Sequence, residues 1–258
     1  MNLVLPPRLT VSAGKVRDAA RRRGMSTVQL PTFEVPAGLH GEHLHCGPDF
    51  ADAVSATLRI ATLQAPPGWL ADLPREFTRR DVRLVPLSEA HQLRRPAFIK
   101  SPNDKNIRAM IYTDGSRLPG SDALDPSTEV LVSDIVEFST ECRLFLLDGA
   151  VHAASRYAVD GRLDLGPVEP DALAFATDFL AAQAHTLPSA IVVDIGTIGG
   201  RWAVIEANAA WASGIYLAEP DDVLDVCLRA ARPKDDVSAG DQPFIRPSTS
   251  SAGRVQGR

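Results

Sequence analysis

The sequence has little cysteine and no long apolar run, and both absences narrow the class of protein. Three cysteines occur in 258 residues, and none belongs to a CxxC pair. An odd number of widely spaced cysteines argues against a disulfide framework and favours a reducing compartment, so we expect a cytoplasmic protein. No stretch approaches ~20 consecutive apolar residues, which argues against a membrane-spanning helix.

Signals for nucleic acids and for the common nucleotide-binding loops are also missing. The formal net charge is −5 and the basic residues are scattered, so no basic stripe marks a nucleic-acid surface. Neither GxGxxG after the first predicted strand nor GxxxxGK[ST] anywhere is present, which excludes the Rossmann fingerprint and the P-loop. What remains is an ordinary globular composition, with 45% hydrophobic and 23% charged residues.

The first 85 residues alternate apolar strands with amphipathic helices. Strands are predicted at NLVLP, STVQL and HLHC, and helices at residues 11–24 and 48–61. The first helix is predicted to end at Gly24, because glycine readily adopts the left-handed conformation that closes many helices. This alternation indicates a small α/β domain, residues 1–85, built on an open sheet with crossover helices.

A second domain, residues 86–232, is richer in strands. A proline-rich, charged segment at 65–96 leads into it. LDGA at residues 147–150 and the glycine pair at 199–200 predict tight hairpins between apolar strands. The polar segment 233–258 is predicted to be a disordered tail.

Two carboxylates and an amide stand close together on one predicted hairpin. Asp194 lies in VVDIG, and Glu206 and Asn208 lie two residues apart, hence on one face, in VIEAN on the next strand. Carboxylates placed side by side need a cation, and a few hard oxygen ligands suit Mg²⁺ combined with substrate phosphates. The alternative is a solvated face. The apolar residues around these acids argue against it, because an unpaired buried carboxylate is costly.

Lys100, which ends the predicted strand PAFIK, is a second candidate. A lysine at the end of a buried strand beside a cleft is a typical phosphate ligand, and the polar turn SPND would let Lys105 approach the same group. The alternative is a lysine whose stem covers apolar surface while its charge reaches water. For Lys100 alone that alternative is the better explanation.

A third group of polar residues lies on two later strands. Glu141 and Arg143 share one face of ECRLFLL, and Arg156 follows in SRY. Glu141 is suited to accept hydrogen bonds from a ribose, and the arginines to grip a phosphate or carboxylate bidentately. A structural cross-strand Glu–Arg pair explains the same residues equally well.

Taken in order, these segments resemble the ATP-grasp family over about residues 85–231. The resemblance lies in a strand ending in lysine (FIKSPNDK), a Glu-bearing strand after an apolar linker strand (VEFSTECRLFLLDGAVHAASRY), and Asp with Glu-x-Asn on adjacent strands. The segment DIGTIGGRWAVIEANAAWASGIY is the most specific, and is similar to a small clade of bacterial and phage ATP-grasp proteins. The implied fold has two α+β lobes that clasp ATP, preceded by a small α/β pre-grasp domain.

The resemblance implies a role for each candidate residue. The implied contacts are ATP phosphates for Lys100 and Lys105; adenine for backbone groups of Asp134, Ile135 and Val136; ribose for Glu141; Mg²⁺ for Asp194, Glu206 and Asn208; and an acylphosphate or substrate carboxylate for Arg143 and Arg156.

The implied activity is that of an ATP-dependent ligase. Such an enzyme would join a small-molecule or peptide carboxylate to an amine or thiol through an acylphosphate, releasing ADP and phosphate. A phosphotransferase with the same metal site and a non-catalytic ATP-binding protein are the alternatives. The intact metal ligands argue against the last. The chain lacks an obvious glycine-rich phosphate loop, which leaves the second phosphate-binding lysine open.

Overall fold

A computed structural model describes residues 1–247, and the N-terminal part of the chain forms an α/β unit. Its elements are β1 (Asn2–Leu5), α1 (Val11–Arg22), β2 (Ser26–Gln29), β3 (His43–Leu44), α2 (Pro48–Leu58) and β4 (Ile60–Thr62). Strands β1, β2 and β3 form a parallel sheet of order β2–β1–β3. Parallel strands need crossover connections, and α1 makes the first of them. The open sheet with crossover helices expected from the sequence is present.

Local hydrogen bonds set both ends of α1. The Thr10 hydroxyl accepts a hydrogen bond from the Ala13 amide at 3.1 Å, which satisfies one of the free amides of the first turn. At the other end Gly24 has a φ of 74°, and the Met25 amide returns to the Ala20 carbonyl. The helix therefore closes at Gly24, as the sequence predicts.

The proline-rich segment after β4 is more ordered than its composition suggests. It contains α3 (Trp69–Asp72), α4 (Arg75–Thr78), β5 (Val82–Pro86) and α5 (Leu87–Ala90). Pro74 and Pro86 stand directly before α4 and α5, where a missing N–H breaks no helical hydrogen bond. The segment therefore supplies the first strand of the next sheet in addition to connecting two units.

Strand β5 belongs to the first of two lobes, a four-stranded antiparallel sheet. The other strands are β6 (Ala97–Lys100), β7 (Met110–Tyr112) and β8 (Glu129–Ser133), and the order is β5–β8–β6–β7. Ile99, Val130 and Val132 share a small core with Leu87 and Ala90 of α5. Residues 134–139 then lead to the second lobe.

The second lobe is a five-stranded antiparallel sheet with helices. Its elements are β9 (Thr140–Leu147), β10 (Ala150–Val159), β11 (Arg162–Gly166), α6 (Pro170–Gln183), β12 (Ala190–Ile198), β13 (Arg201–Asn208) and α7 (Pro220–Ala230), and the strand order is β11–β10–β9–β12–β13. Both predicted hairpins are confirmed. The turns at 148–149 and 199–200 have positive φ at both central residues, which matches the twist of the flanking strands.

Both faces of the five-stranded sheet are covered. On one face Leu144 and Val193 share a core with Phe179 of α6. On the other face Phe145 and Val192 share a core with α7 and with the sheet of the N-terminal unit. The N-terminal unit is therefore packed directly on the second lobe. Among residues 1–247, no helix has both the length and the apolar character needed to cross a membrane.

The C-terminal segment is folded as far as residue 247, which corrects the predicted disordered tail from residue 233. Strand β14 (Ala231–Pro233) pairs with β4, and Ile245 forms a bridge with Leu63. Arg246 donates to both carboxylate oxygens of Asp52, at 2.7 and 2.9 Å. A few long-range contacts thus order a segment whose composition is polar. Residues 248–258 of the predicted tail lie outside the described residues.

The ion pair to Asp52 should stabilise the fold measurably. In Asp52→Asn, the mostly buried Arg246 loses its charged partner, and we expect about 2 kcal/mol less free energy of unfolding in a urea titration. Asp235→Asn is the matched control, because it removes an exposed acid that pairs with Arg59; the expected loss is at most about 1 kcal/mol. Equal losses in the two variants would show that the Arg246 contact has no special weight.

Candidate active site

A cavity of about 1100 Å³ opens where the two lobes and the N-terminal unit meet. Its wall includes Lys100 from the first lobe, Glu206 and Asn208 from the second lobe, and Arg8 from the N-terminal unit. The loop of residues 101–109, which follows β6, borders one side. Three separate parts of the chain therefore contribute to one site.

The predicted oxygen donors converge on β12 and β13. Asp194 is paired with Glu206, and Asn208 lies one pair further along on the same face. The Asn208 Nδ2 lies 2.9 Å from Glu206 Oε1 and 3.2 Å from Asp194 Oδ2. A donor between two carboxylates relieves their repulsion. A divalent cation in that place would do so more strongly, with the amide turned to present its oxygen.

Arg143 of β9 fixes the orientation of Asp194. Its Nε and Nη2 donate to the two carboxylate oxygens at 2.8 and 2.7 Å, and its Nη1 donates to the Gly214 carbonyl at 3.1 Å. Asp194 is 1% exposed, and burial raises its pKa while Arg143 opposes that rise. Burial would lower the pKa of Arg143, but the carboxylate outweighs burial and raises it. Arg143 therefore contacts an acid of the cluster.

Lys100 supplies a second compensating charge from the other lobe. Its ammonium forms a direct ion pair with Glu206. Burial would raise the pKa of Glu206, but Lys100 and Asn208 together hold it below its usual value. With Arg143, two cations balance two carboxylates, so this group of four charged side chains is neutral before any ligand binds.

Glu141 lies on β9 two residues before Arg143. The Tyr157 hydroxyl donates to Glu141 Oε2 at 2.8 Å, and the Tyr157 ring stacks on Tyr216 with centroids 4.9 Å apart. Burial raises the pKa of Glu141, against the effect of Tyr157, and the neighbouring carboxylates add to the rise. Its other oxygen accepts no hydrogen bond from residues 1–247 and is available to a hydroxyl donor.

The linker between the lobes, residues 134–139, is extended. Asp134 anchors it, since its Oδ2 accepts from the Asp81 amide at 3.0 Å and its carbonyl accepts from the Ser133 hydroxyl at 2.9 Å. Ile135 and Val136 make no backbone hydrogen bond within the described part of the chain. Their amide and carbonyl groups are therefore available to a ligand.

Lys105 lies on the exposed loop of residues 101–109 and lines the cavity. The Ser101 hydroxyl accepts from the Ile107 amide at 2.9 Å, and Asn103 donates to the Ala65 carbonyl at 2.9 Å, so the loop is held at both a near and a far point. Lys105 has no ion-pair partner among residues 1–247. The structure thus places it at the mouth of the cavity, outside the carboxylate cluster.

Arg156 lies away from the cluster, which corrects its predicted contact with a substrate. A bulge at His152 shifts the β9–β10 register by one residue, so Arg156 is opposite Cys142 and faces the side covered by α6. There its guanidinium pairs with Asp164 at 2.6 Å and Glu169 at 3.6 Å. The residue serves in ion pairs on the far face of the sheet.

Sequence reasoning missed Arg80. This residue is buried between the lobes, and its guanidinium donates to the carbonyls of Val204 and Ile205 at 2.7 and 2.8 Å, directly before Glu206. The only visible signal is an arginine pair ahead of a predicted strand, which is more often surface charge. Nothing in its spacing connects it to a strand 125 positions away.

Comparison with known proteins identifies the class first. The chain is similar to the RimK domain ATP-grasp protein from Sphaerobacter thermophilus DSM 20745, at 14% identity and a TM-score of 0.51, over 88% of this chain and 97% of that chain. It is also similar to D-alanine–D-alanine ligase from Bacillus anthracis, at 12% identity and a TM-score of 0.52, over 89% and 97%. The predicted ATP-grasp fold is confirmed.

The family follows from the sequence match. Residues 77–226 match a family described as an ATP-grasp domain, family 2 of its clade. The matched region is more than half of the chain, and the protein belongs to this ATP-grasp family. Among curated proteins, none matches the chain by sequence.

Removing Arg143 should expose the cost of burying Asp194. In Arg143→Met the carboxylate loses its bidentate partner, and we expect about 3–5 kcal/mol less free energy of unfolding by chemical denaturation. The double variant Arg143→Met/Asp194→Leu should regain part of that loss, because no uncompensated charge remains. A single variant as stable as the unmodified protein would contradict the ion pair.

Proposed function

We propose that this protein is an ATP-dependent ligase that activates a carboxylate as an acylphosphate. The activated acyl group is then transferred to an amine or thiol, with release of ADP and phosphate. The observation that carries the proposal is the convergence of Asp194, Glu206 and Asn208 beside Lys100, at the junction of the two lobes of an ATP-grasp fold.

The nucleotide would lie between the lobes, along the linker. The free backbone groups of Ile135 and Val136, beside the anchored Asp134, suit the donor and acceptor edge of an adenine. Glu141 has an open carboxylate oxygen that suits a ribose hydroxyl. The phosphates would reach Lys100, with Lys105 at the mouth of the cavity as a second cation.

The donor set fits a hard divalent cation. Glu206 and Asn208 offer a carboxylate and an amide oxygen, and Asp194 retains lone pairs beyond those that Arg143 occupies. Mg²⁺ held by these three side chains would neutralise the charge that develops on the transferred phosphoryl group. Lys100 is in contact with Glu206, and a phosphate beside it offers the ammonium an alternative anionic partner.

The second substrate would occupy the part of the cavity nearest the N-terminal unit. Arg8 and Arg108 line that part and form no ion pair within residues 1–247, so they suit a carboxylate group. The carboxylate oxygen attacks the γ-phosphorus and the bond to ADP breaks. The amine or thiol then attacks the acyl carbon, phosphate leaves, and the nucleophile gives up its proton. A small molecule or a peptide would meet these requirements.

Glu206→Gln tests the metal ligand while retaining the hydrogen bond to Asn208. We expect ATP turnover, followed as ADP formation with Mg-ATP, to fall about 100-fold or more, because charge on the phosphoryl group is no longer stabilised. The thermal unfolding midpoint should stay close to that of the unmodified protein. Glu129→Gln, an exposed acid at the start of β8, is the control and should keep full turnover. Unchanged turnover in Glu206→Gln would remove this residue from the site.

The ligase and phosphotransferase functions separate by their products. Small-molecule extract incubated with enzyme and Mg-ATP should yield inorganic phosphate together with a new condensed product in mass spectra. Extract depleted of amines and thiols should yield far less phosphate, because the acylphosphate lacks an acceptor. A product that gains only a phosphoryl group, without phosphate release, would favour the phosphotransferase.

A further inference from the structure

Strand β13 lies at the edge of the five-stranded sheet, and its outer carbonyls are bonded by two arginines. Arg79 Nε donates to the Trp202 carbonyl at 2.8 Å, and Arg80 Nη1 and Nη2 donate to those of Val204 and Ile205. Successive carbonyls of a regular strand point to opposite edges. Residues 204 and 205 are adjacent, so both of their carbonyls face outward only where the strand is irregular.

The irregularity is a β-bulge at Ile205. Glu206 is paired with Asp194, and Val204 with Ile195, which leaves Ile205 as an extra residue. As a result Val204 packs in the core beneath α6, while Glu206, only two residues later, faces the opposite side. Without the bulge, alternation would give these two side chains the same face. The direction of Glu206 therefore depends on the bulge.

Arg80 is built into this bulge. It is 6% exposed, and its Nε and Nη1 also donate to the Ser133 hydroxyl at 3.2 Å and the Thr78 carbonyl at 3.0 Å. The guanidinium lies 5.4 Å from the centroid of Phe138 in the linker. No carboxylate within residues 1–247 forms a direct ion pair with Arg80. Its donors are spent on backbone carbonyls and one hydroxyl, and those groups come from both lobes.

We propose that Arg80 is a positioning residue: its two-pronged hydrogen bonding to Val204 and Ile205 holds the bulge that turns Glu206 and Asn208 toward the metal site. The proposal rests on the proposed function for its consequence in metal binding. When the shared donor is lost, the two neighbouring carbonyls have no common partner. A one-residue slip of the strand end would then direct Glu206 toward the apolar core.

Mn²⁺ binding in the presence of a non-hydrolysable ATP analogue, measured by electron paramagnetic resonance, tests the proposal. Arg80→Met should weaken Mn²⁺ binding about 10- to 100-fold, the usual loss when the support of a metal ligand is removed. Binding of the analogue without divalent cations should be unchanged. Arg79→Met is the matched control, since it removes one guanidinium–carbonyl bond from the same strand outside the bulge, and it should bind Mn²⁺ normally.

Arg80→Lys separates the geometry of the fork from its charge, because an ammonium keeps the charge but lacks the planar donors. We expect it to lose Mn²⁺ affinity as Arg80→Met does, and it supplies the result if Arg80→Met does not fold. Normal Mn²⁺ affinity in either folded Arg80 variant, or an equal loss in Arg79→Met, would overturn the proposal.

Hydrogen exchange on the ligand-free proteins keeps this test separate from the proposed function. If the unmodified protein binds no Mn²⁺ with the analogue, the proposed function fails, and exchange alone decides the role of Arg80. Amides of residues 203–208 should exchange faster in the Arg80 variants than in Arg79→Met. Equal exchange in all of them would overturn the positioning role.

Discussion

The repulsion between Asp194 and Glu206, which face each other on neighbouring strands, is the constraint on which the site depends. Both are largely buried, and neither could stay ionised without a partner. Arg143 compensates the first from within the second lobe, and Lys100 compensates the second from the first lobe. Charge balance therefore requires both lobes. A ligand that competes for Lys100 acts on the contact between the lobes as well as on the chemistry.

The same charge network reaches the N-terminal unit. Arg143 holds the Gly214 carbonyl, in the loop that follows the metal-binding strand. From α1, Ser12 accepts the Ile215 amide at 3.0 Å and Lys15 donates to the Tyr216 carbonyl at 3.0 Å. The first helix of the chain is thus hydrogen-bonded to a loop that is itself bonded to the arginine holding Asp194. This explains physically why the N-terminal unit shares a core with the second lobe.

Much of the fold follows from local patterns, whereas register does not. Turn residues and strand periodicity were enough to predict the hairpins and to place Glu206 and Asn208 on one face. The face of Arg156 was missed because an unbroken hairpin would pair it with Glu141, and the bulge at His152 is silent in the sequence. The bulge at Ile205 is equally silent, and so is its partner Arg80. The order of residues 234–247 depends on contacts with the distant N-terminal unit, which composition does not encode.

The most direct test of the central claim is anomalous diffraction from crystals soaked with Mn²⁺ and a non-hydrolysable ATP analogue. The account predicts a Mn²⁺ peak at about 2.1 Å from oxygens of Glu206 and Asn208, with Lys100 moved onto a phosphate. A second group of possible ligands, His152, Asp222 and Asp225, lies on the surface. Mn²⁺ found only there, or nucleotide bound with Glu206 still paired to Lys100 and no metal beside it, would contradict the account.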